Sequence, residues 1–179
     1  MRWIEHGERS LYESPWVSLR LVDVEIPDHD RFEHHVVRFP NEAAGTVVHD
    51  PDRGGVLLLW RHRFITDSWG WEVPAGHLDP GEAPVDAAVR ETVEESGWRP
   101  IDPRLVARYH PMPGVVDQTF HVFHASAADE VGPPVDAFEA ERVEWVPLPD
   151  VRAALLDGRI SEGMSITALS LALVAGLLV

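Results

Sequence analysis

No part of the chain restricts the fold as tightly as the run from Trp71 to Trp98, WEVPAGHLDPGEAPVDAAVRETVEESGW. A glycine-punctuated loop there leads at once into a segment bounded by helix signals. Pro84 suits the first helical position, where a missing N–H costs nothing, and Gly97 suits the left-handed stop. The spacing predicts a helix from about Ala83 to Ser96. On it Glu91, Glu94 and Glu95 stand at i, i+3 and i+4, neighbouring positions of one helix face. Like charges so placed destabilise an isolated helix by about 0.2–0.5 kcal/mol per pair. A hard cation would relieve that repulsion, whereas the bland alternative is a solvated face, since glutamates are mostly exposed. Val85, Ala88, Val89 and Thr92 make a second stripe at offsets of three, four and seven, expected to be buried while the acids point elsewhere.

The same stretch decides between those readings, because its spacing is specific. Gly76 is followed by five residues, Glu82, seven residues, Arg90-Glu91, an apolar position, one further residue, Glu94-Glu95, another residue, Gly97 and an apolar residue. This resembles the signature of Nudix hydrolases. Thr92, where an aliphatic residue is usual, and the bulky Trp98 depart from the pattern, and both departures concern packing. The resemblance implies an α/β fold, an α/β/α sandwich around a mixed β-sheet. By the same resemblance, Glu91 and Glu95 would be the principal metal ligands, with Glu94 on a second ion or bound through water. The backbone carbonyl of Ala75 would add a further ligand. Gly76, Glu82, Arg90 and Gly97 would support the motif, with Arg90 and Glu82 bracing loop and helix. A cluster of glutamate oxygens without soft ligands suits Mg²⁺, with Mn²⁺ able to substitute.

Composition narrows the rest. With 179 residues and 45% apolar content the chain is long enough to bury a substantial core. Cysteine is absent, which excludes disulfides and thiolate metal sites. The formal charge of −15 argues against a nucleic-acid backbone as partner, since such binding depends on clustered cations. The N-terminal MRWIEHGERS is charged throughout, and a cytoplasmic location is expected. The apolar ITALSLALVAGLLV is short for a membrane span and reads as a closing helix, so no membrane partner is expected.

From Ser14 to Pro40 two apolar-alternating runs, WVSLRLVDVEI and HHVVRF, flank the turn-like PDHD and predict an N-terminal β-hairpin. The expected division is therefore a hairpin extension over 1–40 and a Nudix hydrolase domain over 41–179. AAGTVVHD and VLLLWRHRF predict two strands, with Arg61 and Arg63 on one face at a strand end. WGWEVPAG leads a strand into the loop, and RPIDPRLVARYHPMPG reads as a proline-punctuated connection. VVDQTFHVFHASA contains a strand whose His121 and His124 face opposite sides and cannot easily share an ion. DEVGPPVDAFEAE is an acidic loop expected to be mobile, RVEWVPL a strand, LPDVRAALLDGRI a helix, and a last helix starts at about Met164.

Beyond the motif, the layout is similar to ADP-ribose pyrophosphatases within the family. That resemblance makes Arg63 the better substrate-binding candidate of the two arginines, against the plainer reading of a surface salt bridge. Glu72 would touch substrate, or metal indirectly, with a structural ion pair as the equal alternative. Trp16 is a candidate adenine-stacking residue, against the plainer reading of a core or interface tryptophan. Pro113, sixteen residues after Gly97, marks the same group, although Gln118 stands where many of its members carry glutamate. The catalytic base candidates are Glu139 and Glu141 in the late acidic loop, with Glu94 behind them. The implied activity is Mg²⁺-dependent hydrolysis of ADP-ribose to AMP and ribose 5-phosphate by a homodimer acting on a small nucleotide-sugar substrate. Alternatives are a GDP-mannose-type sugar nucleotide, a nucleoside triphosphate, or an ADP-ribose-binding regulator without catalysis.

Overall fold

The computed structural model describes residues 1–136 and 138–179. They fall into two units, Met1–Glu42 with His110–Thr119, and Ala43–Tyr109 with Phe120–Val179.

In the first unit, β1 (Ile4–Glu13), β2 (Ser18–Glu25) and β3 (Phe32–Arg38) form an antiparallel sheet in that order. β2 and β3 are the expected hairpin. β1 has no counterpart among the expected strands, because its residues are all exposed and show no apolar alternation. Backbone pairing to β2 through two register irregularities holds it, helped by cross-strand ion pairs such as Arg9 with Glu33 and Arg38 with Glu8. The 110–119 segment docks on the free edge of β3. Val37 donates its amide to the Val115 carbonyl at 2.8 Å, and Arg38 Nη1 lies 2.7 Å from Asp117.

The second unit begins with β4 (Ala43–Asp50), β5 (Gly55–Arg63), β6 (Ser68–Glu72), β7 (Ala75–His77) and α1 (Pro84–Ser96). It continues through β8 (Trp98–Pro100), β9 (Arg104–Tyr109), β10 (Phe120–Ala125), β11 (Ala128–Glu130), β12 (Arg142–Val146), α2 (Leu148–Asp157) and α3 (Gly163–Val174). The main sheet runs β12-β5-β4-β10-β9, with β6 on β5 and β7 on β4. It is mixed, because β10 lies parallel to β4 while the other pairs are antiparallel. β8 and β9 replace the connection expected between Arg99 and Pro113. Pro100 stands at the end of β8, where its missing N–H is tolerated, and the prolines punctuate strands rather than exclude them.

β4 is buried at every position, the mark of a strand covered on both faces. Its alternation sorts the two layers. Ala43 and Val47 join the core under α2 and α3 with Val56, Leu58, Val151 and Leu169. Ala44 packs with Ala87, Ala88 and Phe123 under α1, and Thr46 Oγ1 donates to the Ala88 carbonyl on that side at 3.2 Å. The two faces of β4 thus carry the helix layers of the expected α/β/α sandwich. Among the described residues no helix is long and apolar enough to cross a membrane.

The buried stripe of α1 differs from the expected one. Ala87, Ala88, Thr92, Glu95 and Ser96 are buried, while Val89 is partly exposed. Ala88, Thr92 and Glu95 repeat at offsets of four and seven, so Glu95 lies on the core-facing side and does not point away from it. Thr92 fits where an aliphatic residue is usual because its hydroxyl donates within the helix to Ala88 at 2.7 Å. Trp98 is accommodated edge-on to Trp145 at 5.2 Å and under the Arg53 guanidinium at 4.5 Å.

Gly97 ends α1 in the left-handed region, φ 77°, and donates its amide to the Val93 carbonyl at 2.8 Å. A Cβ there would press into the backbone carbonyl of Gly132, which has no rotamer with which to retreat. Gly97→Ala therefore combines an unfavourable φ with a backbone clash. It is expected to cost about 2–4 kcal/mol in denaturant unfolding.

Candidate active site

β5, β6, the β7 turn and α1 bring a set of carboxylates and arginines together in the second unit. The arrangement follows from strand alternation. Arg61 and Arg63 point to the same side of β5 and meet Glu72 from the paired β6. Arg63 grips Glu72 with Nε at 3.0 Å and Nη2 at 2.5 Å, while half of its side chain stays exposed. Its open side adjoins a cavity of about 710 Å³ lined by Phe64, Ile65, Thr66, Ser68, Ser161 and Glu162.

Glu95 is the centre of the arrangement. Its side chain is 4% exposed; Oε1 accepts from Arg61 Nη2 at 2.7 Å, and Oε2 accepts from the Ala75 amide at 2.9 Å. Burial pushes its carboxyl up to about 7, with Arg61 and the Ala75 amide pulling the other way and Glu91 adding to the rise. Glu91 is also raised, first by burial, against the pull of Arg90, with Glu94 and Glu139 contributing. Two desolvated carboxylates side by side are held at a cost that a divalent cation would remove.

Arg90 organises the outer half. Its guanidinium donates to Glu82 at 3.0 and 2.9 Å, to Glu91 at 2.8 Å, to Glu94 at 2.9 Å and to the His77 carbonyl at 3.0 Å. Glu82 in turn accepts the Asp79 amide at 2.9 Å, closing the loop that starts α1. Gly76 lies against Glu91 so closely that a Cβ would overlap the carboxylate. Backbone and carboxylate oxygens are thereby confined to one small space. The donor set is all oxygen and the glycine leaves room only for a bare backbone, so the residues fit a Mg²⁺-type ion. Among the described residues the carboxylates do not converge on one point, since arginines hold them instead.

The late loop reaches the same place. Val131 donates its amide to the Gly97 carbonyl at 2.9 Å and Asp136 donates to the Glu94 carbonyl at 3.1 Å, satisfying carbonyls that the end of α1 leaves free. Glu139 thereby sits 3.7 Å from Arg61. Glu141 is exposed and brings its backbone amide, not its carboxylate, to the Trp60 carbonyl at 2.8 Å. Ala75, Gly76, Glu72, Glu82, Arg90, Glu91, Glu94, Glu95, Gly97 and Glu139 thus belong to one neighbourhood, with Arg63 at its edge. Trp16 and Pro113 belong to the first unit, where Trp16 occupies the turn between β1 and β2 and is 81% exposed. Arg63 keeps half of its side chain exposed, and Arg61 is the buried member of the two arginines. Its signal was the apolar run before it, which carries the strand into the core before the charge appears.

The raised Glu95 carboxyl sets a pH dependence for the protein stripped of divalent cations. A carboxyl whose folded pKa lies above its unfolded value favours folding when protonated. Its contribution is complete below about pH 4.5 and is lost as pH rises through about 7. The span corresponds to about 3 kcal/mol. Melting of the stripped protein should therefore rise as pH falls from 8 towards 5.5, and Mg²⁺ should flatten that slope. A slope of the opposite sign, or one absent in wild type and Glu95→Gln alike, would remove the desolvated-carboxylate account.

A family model described as the NUDIX domain matches residues 40–164. The chain is 42% identical over 178 residues to the CMP-5′-(N-acetyl-N-hydroxy-3-aminopropyl)phosphonate hydrolase of Streptomyces rubellomurinus, covering 99% of this chain and 84% of that one. It is 26% identical over 145 residues to the ADP-ribose pyrophosphatase of Bacillus subtilis, covering 81% and 76%. With the ADP-ribose pyrophosphatase of Mycobacterium tuberculosis it shares 27% over 163 residues, covering 89% and 78%. In fold it matches a crystal structure of an ADP compounds hydrolase with a TM-score of 0.80 at 21% identity, over 96% of this chain and 92% of that one. Motif, architecture and full-length similarity agree, and the chain belongs to the Nudix family as a Nudix hydrolase.

Proposed function

We propose that the protein hydrolyses, with Mg²⁺, the phosphorus anhydride of a small conjugate in which a nucleoside 5′-phosphoryl group is joined to a second phosphorus acid. The observation that carries this reading is Glu95, a carboxylate with 4% exposure fixed between the Ala75 amide and Arg61. Glu91, Glu95 and the Ala75 carbonyl would hold the ion, and Glu94 a second one. An ion held by these residues would supply Lewis acidity towards the phosphoryl oxygens and towards water.

The chain's own residues supply the rest. Arg63, anchored by Glu72 and half exposed, presents unused donors to a phosphate oxygen of the substrate. The cavity beside it, about 710 Å³, is of a size for a nucleoside or sugar. Glu139 is the base we favour, because its carboxylate alone of the two late-loop candidates faces the charged cluster. Glu82 and Arg90 hold loop and helix in register.

ADP-ribose is the first substrate of this reading, from the motif layout and the ADP-ribose pyrophosphatases among the relatives. A second reading is favoured by the 42% relative, whose name specifies a cytidylyl phosphonate. The two differ in base and in the acid released. Purified protein with Mg²⁺ should release AMP from ADP-ribose or CMP from a cytidylyl phosphonate, and the ratio of kcat/KM values selects between them. Turnover of neither would overturn both. Homodimerisation, expected from the resemblance, belongs to the same reading and is tested by sedimentation equilibrium.

Two substitutions test the metal assignments. Glu95→Gln should lower kcat roughly a thousandfold, the loss that several kcal/mol of charge stabilisation predicts. Gly76→Ala should leave the melting transition nearly in place, because only the flexible end of Glu91 must move, while activity falls at least about a hundredfold. An active Gly76→Ala protein would argue that the position of Glu91 is immaterial.

A further inference from the structure

Arg61 is the most buried cation of the site, with 4% of its side chain exposed. A guanidinium does not lose its proton in proteins, so this is a permanent positive charge taken out of water. Three acids surround it from three elements: Glu95 of α1 at 2.7 Å, Glu72 of β6 at 3.8 Å and Glu139 of the late loop at 3.7 Å. The shares are unequal. Glu72 is already held by Arg63 at 2.5 Å, and Arg61 Nε, buried, has no hydrogen-bond partner among the described residues. Only the Glu95 contact is a close hydrogen bond; the Glu139 contact is purely electrostatic at that distance.

We propose that Arg61 is a resident cation, one that competes with the divalent ion for Glu95 and, through Glu139, holds the late loop against the site. It is a positioning residue: it sets how tightly metal is taken up and how the base candidate is presented. The inference rests on the metal-dependent reading above. It adds a consequence opposite in sign to that of a merely structural arginine. Loss of a structural arginine loosens the site and weakens metal binding, whereas loss of a competing cation strengthens it. A dication feels the guanidinium about twice as strongly as a proton does, so the sign survives any extra proton that Glu95 retains.

The test measures Mn²⁺ binding without substrate, from the electron paramagnetic resonance signal of free Mn²⁺. It uses wild type, Arg61→Gln, Arg61→Met and Arg61→Lys, each checked for a cooperative melt. Arg61→Gln should bind Mn²⁺ about tenfold more tightly, while Arg61→Lys, which keeps the charge, should stay within about threefold of wild type. Should Arg61→Gln fail to fold, Arg61→Met carries the same expectation with the apolar stem retained. Limited digestion with chymotrypsin reads the second arm, because Phe138 is 85% exposed beside Glu139. Cleavage there should speed at least about threefold in Arg61→Gln and, with Mn²⁺ affinity changed far less, in Glu139→Gln. Wild type that takes up no Mn²⁺ at millimolar concentration overturns the metal reading and this proposal together. Wild-type uptake with Arg61→Gln binding equally or more weakly, or Arg61→Lys tightening as much as Arg61→Gln, overturns this proposal alone.

Discussion

The site depends on one carboxylate being kept from water. Glu95 occupies a core-facing position of α1, where an apolar residue would ordinarily extend the stripe begun by Ala88 and Thr92. Its charge is tolerable because one oxygen meets Arg61 and the other meets the Ala75 amide. That second bond makes helix and loop a single object. The β7 turn cannot shift without leaving Glu95 Oε2 unpaired, and α1 cannot rotate without pulling on the turn. A chemically demanding group thus serves as the joint that fixes the geometry around it.

The two arginines of the inner and outer halves do different work. Arg90, partly exposed, spreads its donors over Glu82, Glu91, Glu94 and a carbonyl, an arrangement that suits a rigid fork and would not suit a lysine. Arg61 is buried and has fewer close bonds than its chemistry allows. The chain contains no lysine, so every such contact is made by a planar group of fixed protonation.

Much of this was legible in the sequence because the constraints were local. Pro84 and Gly97 bound α1 to within a residue of the expected limits, period-two runs located β2 and β3, and short apolar runs between turn signals located β4 and β5. β1 was not legible, since a strand exposed along its length has no apolar pattern and is specified by its partner's backbone and by ion pairs. The orientation of Glu95 is not legible in the sequence, because charge ordinarily means exposure and the burial of this one depends on a partner 34 positions away. The burial of Arg61 is hidden from the sequence for the same reason. Glu139 and Glu141 are not separable in the sequence, because the bonds of the late loop to the end of α1 and the approach of Glu139 to Arg61 appear only in the fold.

The first unit is assembled from two separated stretches, Met1–Glu42 and His110–Thr119, so the backbone passes between the units at three places. A leading extension joined at one point is dispensable in principle; this one is sewn in. Shortening the gene from its start would strip β3 from the 110–119 segment, leaving the Val115 carbonyl and the Asp117 amide without the strand that pairs them. Loss or exchange of the leading sheet among descendants of this chain would therefore require compensating change some seventy residues downstream, a barrier to modular shuffling written into the path of the backbone.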